Sequence, residues 1–87
     1  MFGGSIRSRW GGNDESHGQW MPVSSSNIAA IAFNELDESL YVQFHSGGIY
    51  EYLNCPEYLF DEFLNAPSKG KFFYWRIKDK FEWIRHR

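Results

Sequence analysis

The sequence of 87 residues is poor in cysteine and proline, and it lacks basic residues over most of its length. Its single cysteine, Cys55, excludes an internal disulfide and fits a reducing compartment. No apolar run approaches the ~20 residues that cross a membrane, and the first residues lack the apolar segment of a signal peptide. These absences predict a soluble, cytoplasmic protein that does not contact a membrane.

Charges of the two signs are separated along the chain. No Lys or Arg lies between Trp10 and Ser68, where nine acidic residues occur, whereas Lys69 to Arg87 contains seven basic and two acidic residues. A uniformly basic nucleic-acid-binding protein would not have this distribution, but a protein with one basic face would.

The chain is rich in aromatic residues, with four Trp, five Tyr and eight Phe. A chain of this length forms one domain and buries only roughly 60–65% of the surface that its unfolded form exposes. Bulky rings fill such a small core well, because each buries about 150–250 Å². The alternative is that some rings lie on the surface as a stacking or partner-binding platform.

Residues 1–21 show neither a helical nor a strand period and are rich in small and polar residues. This composition predicts a flexible N-terminal tail in front of a folded domain at residues 22–87. Trp10 and Trp20 are unusual in such a tail, so either they dock onto the domain or they contact a partner.

Three strands are predicted after the tail, at Ile28–Asn34, Leu40–His45 and Ile49–Leu53. Alternation assigns one face of each strand to the core. The core positions in the first two strands are Ala29, Ile31, Phe33, Leu40, Val42 and Phe44.

Two consecutive glycines between the second and third strands decide which face of the third strand joins the core. A two-residue loop would set Glu51 opposite Phe44 and bury a carboxylate. A three-residue loop at 46–48 sets Tyr50 opposite Phe44 and brings Tyr52 to the same face. Since burying an unpaired charge costs more than any turn preference, we predict the three-residue loop with a left-handed glycine.

Two helices are predicted to follow the strands. The first begins at Pro56, whose missing N–H costs nothing at a helix start, and it ends at Pro67. Its apolar stripe consists of Cys55, Leu59, Phe60, Phe63, Leu64 and Ala66. Ser68 caps a second helix that runs from Lys69 to about Ile77.

The last residues, 79–87, fit either a continuation of this helix or a short extended segment, and a break near Lys78 and Asp79 is favoured. The predicted fold is therefore α+β: a three-stranded antiparallel β-meander covered by two helices, with a flexible N-terminal tail.

A set of residues from Val23 to about Trp83 has the order and spacing of a known family. The set is Val23, Ser25, Ser26, Asn27, Ile28, Ile31, Phe33, Leu40, Val42, Phe44, Gly47, Tyr50, Tyr52, Pro56, Phe63, Ala66, Ser68, Gly70, Phe72, Phe73 and Ile77. This arrangement resembles the KTSC domain family, which is named for its place at the C-terminus of some lysyl-tRNA synthetases. The domain also occurs alone in short bacterial and phage proteins. The sequence departs from the family pattern in two places, because Cys55 replaces an aliphatic residue and Tyr74–Trp75 replaces residues that are more often polar.

The resemblance implies a non-enzymatic domain, and RNA binding is the usual suggestion for the family. The replacement at Cys55 indicates a core residue and not a nucleophile, which would also need a base and a lowered pKa. His17, His45 and His86 are far apart in the sequence, and one cysteine with scattered carboxylates is not a metal-ligand set. We therefore expect no enzyme activity, no cofactor and no metal.

The C-terminal part of the chain offers two overlapping candidate sites for an anion. Ser68, Lys69, Gly70 and Lys71 place a hydroxyl, backbone N–H groups and two ammonium groups at one helix start. The alternative is an ordinary helix cap with solvated lysines.

The second candidate is the whole basic and aromatic segment, in which Lys69, Lys71, Arg76, Lys78, Lys80, Arg85 and Arg87 interleave with Tyr74, Trp75 and Trp83. Basic residues give salt-dependent contacts to phosphate, and exposed rings stack on unpaired bases. This segment predicts RNA or single-stranded nucleic acid as the partner. The alternative is that the rings belong to the core and the charges only solvate an outer face.

The acidic residues support a hypothesis from a different class. Glu57, Asp61 and Glu62 lie on the outer face of the first helix and, with Trp10 and Trp20, would dock a basic partner protein. Such a domain would act as an adaptor or as a phage-type modulator of a host protein. The alternative is a surface that only keeps the domain in solution.

Overall fold

The computed structural model describes residues 19–87 and contains five strands. In chain order, β1 to β5 are Met21–Pro22, Ile28–Asn34, Ser39–Phe44, Ile49–Tyr52 and Trp83–Arg85. Each strand is antiparallel to the next, so the sheet order is also β1-β2-β3-β4-β5. The helices are α1 at Glu57–Asn65 and α2 at Lys69–Phe72, and a π-helical turn at Phe73–Ile77 continues α2. The α+β class is confirmed, but the meander has five strands and not three.

The two additional strands lie at the ends of the sheet. β1 pairs with β2 and sets Met21 opposite Ile31, so the last residue of the predicted tail lies in the sheet. β5 pairs with β4 and sets Ile84 opposite Glu51. The predicted break after the second helix is confirmed, and the segment beyond it is extended.

The hairpin between β3 and β4 has a three-residue loop, as predicted, but the loop is residues 45–47. The Phe44 N–H donates to the Gly48 carbonyl at 2.9 Å, and the Gly47 N–H donates to the Phe44 carbonyl at 2.8 Å. Gly47 takes the left-handed conformation, with φ at 106°. A Cβ at Gly48 would lie 3.2 Å from the Tyr50 ring, so this second glycine allows the ring to pack closely.

The predicted register of β4 is wrong by two residues, since Tyr50 lies opposite Val42 and not opposite Phe44. The two-residue shift leaves every side chain on its predicted face. Tyr50 and Tyr52 therefore still face the helices, and Glu51 lies on the opposite face.

A β-bulge in β2 changes one predicted core position. The register with β3 shifts between Ile28 and Ala30, so Ala29 is an extra residue in β2. Ile28 is fully buried and Ala29 is only half-buried. The prediction that Ala29 faces the core is therefore wrong, and Ile28 fills that place.

The main core lies between the sheet and the helices. It consists of Ile28, Ile31, Phe33, Leu40, Val42, Tyr52, Cys55, Leu59, Phe63 and Ile77. One stacked pair joins the sheet to α1, because Phe60 lies 5.6 Å from Phe33, and another joins α1 to α2, because Phe72 lies 5.2 Å from Phe63. Much of the high aromatic content is therefore explained by a small core filled with bulky rings.

The opposite face of the sheet is also buried around Tyr41 and Glu51, which are 0% and 5% exposed. The Ser39 hydroxyl donates to Glu51 Oε2 at 2.7 Å, and His86 Nε2 lies 2.9 Å from Glu51 Oε1. Trp20 meets the Tyr41 ring edge-on at 6.4 Å. Glu51 is thus buried after all, but with two partners, on the face away from the helices.

Candidate nucleic-acid interface

The start of α2 is held by contacts within the chain. Ser68 is extended and its hydroxyl accepts from the Lys71 N–H at 3.3 Å, which makes it the predicted cap. The Lys69 ammonium donates to the Ala66 carbonyl at 2.6 Å. Gly70 is half-buried, and Lys71 is exposed. The Ser68 hydroxyl, the Lys71 N–H and the Lys69 ammonium of the candidate anion site therefore already have partners inside the domain.

The π-helical turn decides which side chains reach the surface after α2. The Lys78 N–H donates to the Phe73 carbonyl at 2.8 Å, which closes a turn that is one residue wider than an α-helical turn. Phe73 packs on Phe44 and Tyr52 at ring distances of 5.4 and 5.6 Å, and Ile77 is fully buried. The three residues between these two anchors are exposed.

Two of those three residues form an exposed aromatic pair. Trp75 is 66% exposed and Tyr74 is 56% exposed, and their rings meet edge-on at 5.0 Å. The Lys78 ammonium lies 5.3 Å from the centroid of the Tyr74 ring. For these rings, the interpretation as core residues is wrong. We name Lys71, Tyr74, Trp75 and Lys78 the stacking surface.

Arg76, between Trp75 and the buried Ile77, is held by a carboxylate of the other helix. Its Nη2 lies 2.6 Å from Glu62 Oε1, and its guanidinium lies 4.9 Å from the centroid of the Phe72 ring. This contact links α1 to the π-helical turn. It also pairs one residue of the predicted basic site with one residue of the predicted acidic site.

The remaining basic and aromatic residues lie apart from the π-helical turn in the sequence. Lys80 is exposed in the turn that follows it. In β5, Trp83 is 52% exposed and packs against Tyr50 at 5.4 Å. The Arg85 guanidinium lies 5.5 Å from the centroid of the same Tyr50 ring, and Arg87 is exposed at the end of the chain.

The acidic face of α1 is partly as predicted. Glu57 and Asp61 are exposed. Repulsion from Glu35 raises the pKa of Glu57, with smaller contributions from desolvation, a hydrogen bond to Glu35 and the charge of Asp61. Trp20 docks on Tyr41, whereas Trp10 lies outside the described residues.

Cys55 is a core residue, as predicted. Its thiol is 1% exposed and lies 3.5 Å from the Tyr52 carbonyl. Burial raises the pKa of the Cys55 thiol to about 12, so almost none of it is thiolate at neutral pH. Within residues 19–87, no group of three or more His, Cys, Asp or Glu side chains is placed to hold a metal ion. In the same part of the chain, no helix has the length and apolar character to cross a membrane.

The cluster that His86 forms with the buried Ser39 and Glu51 is the feature that sequence reasoning missed. The alternation of side chains along β3 and β4 does place Ser39 and Glu51 on the same face of the sheet. The third member lies 35 positions after Glu51 and depends on a strand that the sequence left ambiguous.

Comparisons with known proteins agree with this fold. A family model described as the KTSC domain matches residues 24–81. A lysine–tRNA ligase of Nostoc sp. strain PCC 7120 is 40% identical over 58 residues, which are 67% of this chain and 10% of that ligase. A protein of Tsukamurella paurometabola is 35% identical over 60 residues, which are 69% of this chain and 90% of that protein.

A solved structure matches over most of the described chain. The crystal structure of a KTSC domain protein from Yersinia pestis superposes with a TM-score of 0.78 at 40% identity, and the match covers 80% of this chain and 99% of that one. The chain spans only about a tenth of the length of the ligase that it matches, but nearly all of two small proteins. From this fold and these matches, the chain belongs to the KTSC domain family.

Proposed function

We propose that this domain is a non-enzymatic module that binds RNA or single-stranded nucleic acid on its stacking surface. The exposed Tyr74–Trp75 pair is the observation that carries this proposal. Large rings normally reach the core of so small a domain, and here two neighbouring rings are held outside it. Base stacking on exposed rings is tolerant of sequence, because every base has a π-face.

The charges beside the rings favour a phosphate backbone as the partner. Within residues 19–87, neither Lys71 nor Lys78 pairs with a carboxylate, in contrast to Arg76. Both lysines are exposed, so they can contact phosphates without breaking an ion pair inside the domain. The resemblance to lysine–tRNA ligases, whose name states that they act on tRNA, points in the same direction.

The test is a binding titration with a labelled single-stranded RNA of about 12 nucleotides, a length that a small stacking site accommodates. Replacing Trp75 with alanine should weaken binding about 5- to 150-fold, which corresponds to the loss of one base stack. Tyr58→Ala is the matched control, because Tyr58 is 63% exposed but lies on α1.

Salt dependence separates phosphate contacts from other binding. Replacing both Lys71 and Lys78 with glutamine should weaken binding. It should also make the negative slope of log K against log salt shallower by about 1.4, since each contact to a single strand contributes about 0.7 to its magnitude. The matched Lys→Arg pair keeps the charges and should keep the slope. A folded wild-type domain that binds neither RNA nor single-stranded DNA at low salt would refute the proposal.

The alternative function is the docking of a basic protein segment on α1. It is favoured by the repulsion between Glu35 and Glu57, which a cationic partner would relieve. Because Glu62 is already paired with Arg76, the acidic side chains that would contact such a partner are Glu57 and Asp61. Changing both to glutamine should abolish such docking and leave the nucleic-acid titration unchanged.

A further inference from the structure

The edge strand β5 leaves a hydrophobic segment open to solvent. All three of its residues are exposed, including Trp83 at 52% and Ile84 at 45%. β5 is the last strand in the order of the sheet that residues 19–87 form. Such an edge is a template for pairing with another strand.

The backbone pattern shows which groups this edge offers. The Glu82 carbonyl accepts from the Leu53 N–H at 2.8 Å, and the His86 N–H donates to the Ile49 carbonyl at 2.7 Å. In an antiparallel pair, successive residues direct their backbone groups to opposite sides. The N–H and C=O groups of Trp83 and Arg85 therefore point away from β4, toward the outer edge.

We propose that β5 pairs antiparallel with β5 of a second copy of this chain, which joins two five-stranded sheets into one. The two-fold axis passes beside Ile84. In this register Trp83 lies opposite the partner's Arg85, and the outward backbone groups of both residues are satisfied on both chains. Such an interface is isologous, as in most homodimers.

The order of side chains along β5 favours a second copy over another peptide. Glu82 lies at one end, and Arg85, His86 and Arg87 lie at the other. An antiparallel two-fold pairing sets Glu82 opposite the partner's His86, whereas a parallel pairing would align like charges. On the helix side of the sheet, each Trp83 ring meets the guanidinium of the partner's Arg85. On the other side, the two Ile84 side chains cover each other.

The short strand limits how tightly the copies associate. Three paired residues bury less surface than a standard stable interface, so wild-type protein should be monomeric when dilute and dimeric near about 1 mM. Sedimentation over this concentration range should show a rising average mass.

A cysteine at the two-fold axis gives the sharpest test. Opposed residues in a non-hydrogen-bonded antiparallel pair have Cα atoms about 4.5 Å apart, within the range of about 4.4–6.8 Å that a disulfide spans. The Ile84→Cys variant should form disulfide-linked dimers under mild oxidation, and the buried Cys55 does not compete. Tyr58→Cys is the control, because it places an exposed thiol on α1, at a position that is more exposed than Ile84.

A proline distinguishes strand pairing from random collision. Arg85→Pro removes the outward N–H but no bond to β4, and proline is tolerated at such edge positions. Placed in the Ile84→Cys background, it should abolish cross-linking, whereas Arg85→Ala, which keeps the N–H, should retain it. Cross-linking of Ile84→Cys that is no faster than that of Tyr58→Cys would overturn the proposal. So would equal cross-linking of the proline and alanine variants.

Discussion

Replacing Ser39 with alanine tests whether the buried carboxylate of Glu51 depends on its hydroxyl partner. Ser39 is 1% exposed, and its Oγ lies 2.7 Å from Glu51 Oε2. The substitution removes a single oxygen atom, so it leaves almost no cavity. The change in the free energy of unfolding therefore measures the lost hydrogen bond together with the cost of burying a Glu51 oxygen without a partner.

The expected magnitude follows from the charge of the acceptor. A hydrogen bond to a charged group contributes about 1.5–3 kcal/mol, and a buried oxygen without a partner is costly to leave behind. We expect Ser39→Ala to lower the free energy of unfolding by about 2 kcal/mol. For a domain of about 60–100 residues, this corresponds to a fall in Tm of about 8–16 °C.

Urea unfolding followed by tryptophan fluorescence measures this difference. Ser46→Ala, in the exposed hairpin loop, is the matched control and should change stability by less than about 0.5 kcal/mol. The same Ser39→Ala change in a Glu51→Gln background should cost only about 1 kcal/mol, because the acceptor is then neutral. If Ser39→Ala is no more destabilising than Ser46→Ala, the carboxylate does not depend on Ser39.

Three further predictions concern other parts of the domain. Burial raises the pKa of both Cys55 and Tyr52 to about 12, so the native state keeps protons that the unfolded chain loses, from about pH 9 at Cys55 and from about pH 10 at Tyr52. Below pH 9 these two groups should leave stability unchanged, and above its own unfolded-state pKa each should lower stability by roughly 1.4 kcal/mol per pH unit. Cys55→Val should delay that fall to about pH 10, and a urea midpoint unchanged from pH 8 to pH 11 in the wild type would contradict this. Gly47→Ala should cost about 1–2 kcal/mol through backbone strain alone, since φ is 106° and no atom lies within 4 Å of the added Cβ; an unchanged urea midpoint would show that the loop relaxes. A double-mutant cycle between Arg76 and Glu62 should give less than about 1 kcal/mol, because both side chains are about half exposed, and a coupling above about 2 kcal/mol would mean that the pair is shielded from solvent.

The elements that the sequence predicts well are those whose side chains alternate between core and solvent over several residues. β2 has its predicted bounds. The two tyrosines of β4 face the core as predicted, because side chains alternate with a period of two and a two-residue error in register leaves them on the same face. The register itself was wrong because either of two adjacent glycines can take the positive φ. The ring of Tyr50 packs closely against Gly48, and a sequence does not reveal that contact.

The end strands and the buried cluster depend on partners that are distant in the sequence. β1 has two residues and β5 has three, too few for a period to be read. The burial of Glu51 follows from His86 and Ser39, which meet only when the sheet is complete. The sequence predicts which segment carries the basic and aromatic residues, but not which of them are available to a partner. Lys69 and Arg76 are held by contacts inside the domain, whereas Trp75 is exposed.

The π-helical turn after α2 contains both core residues and exposed residues within five positions. The domain needs Phe73 and Ile77 for its stability, whereas Tyr74 and Trp75, which lie between them, are more than half exposed. Variation there has little effect on folding, so natural selection can change the chemistry of this surface while the domain remains stable. Under the proposed function, a homologous domain would acquire a different partner through changes at Tyr74 and Trp75 alone, so we would exchange these two residues between family members to transfer ligand preference.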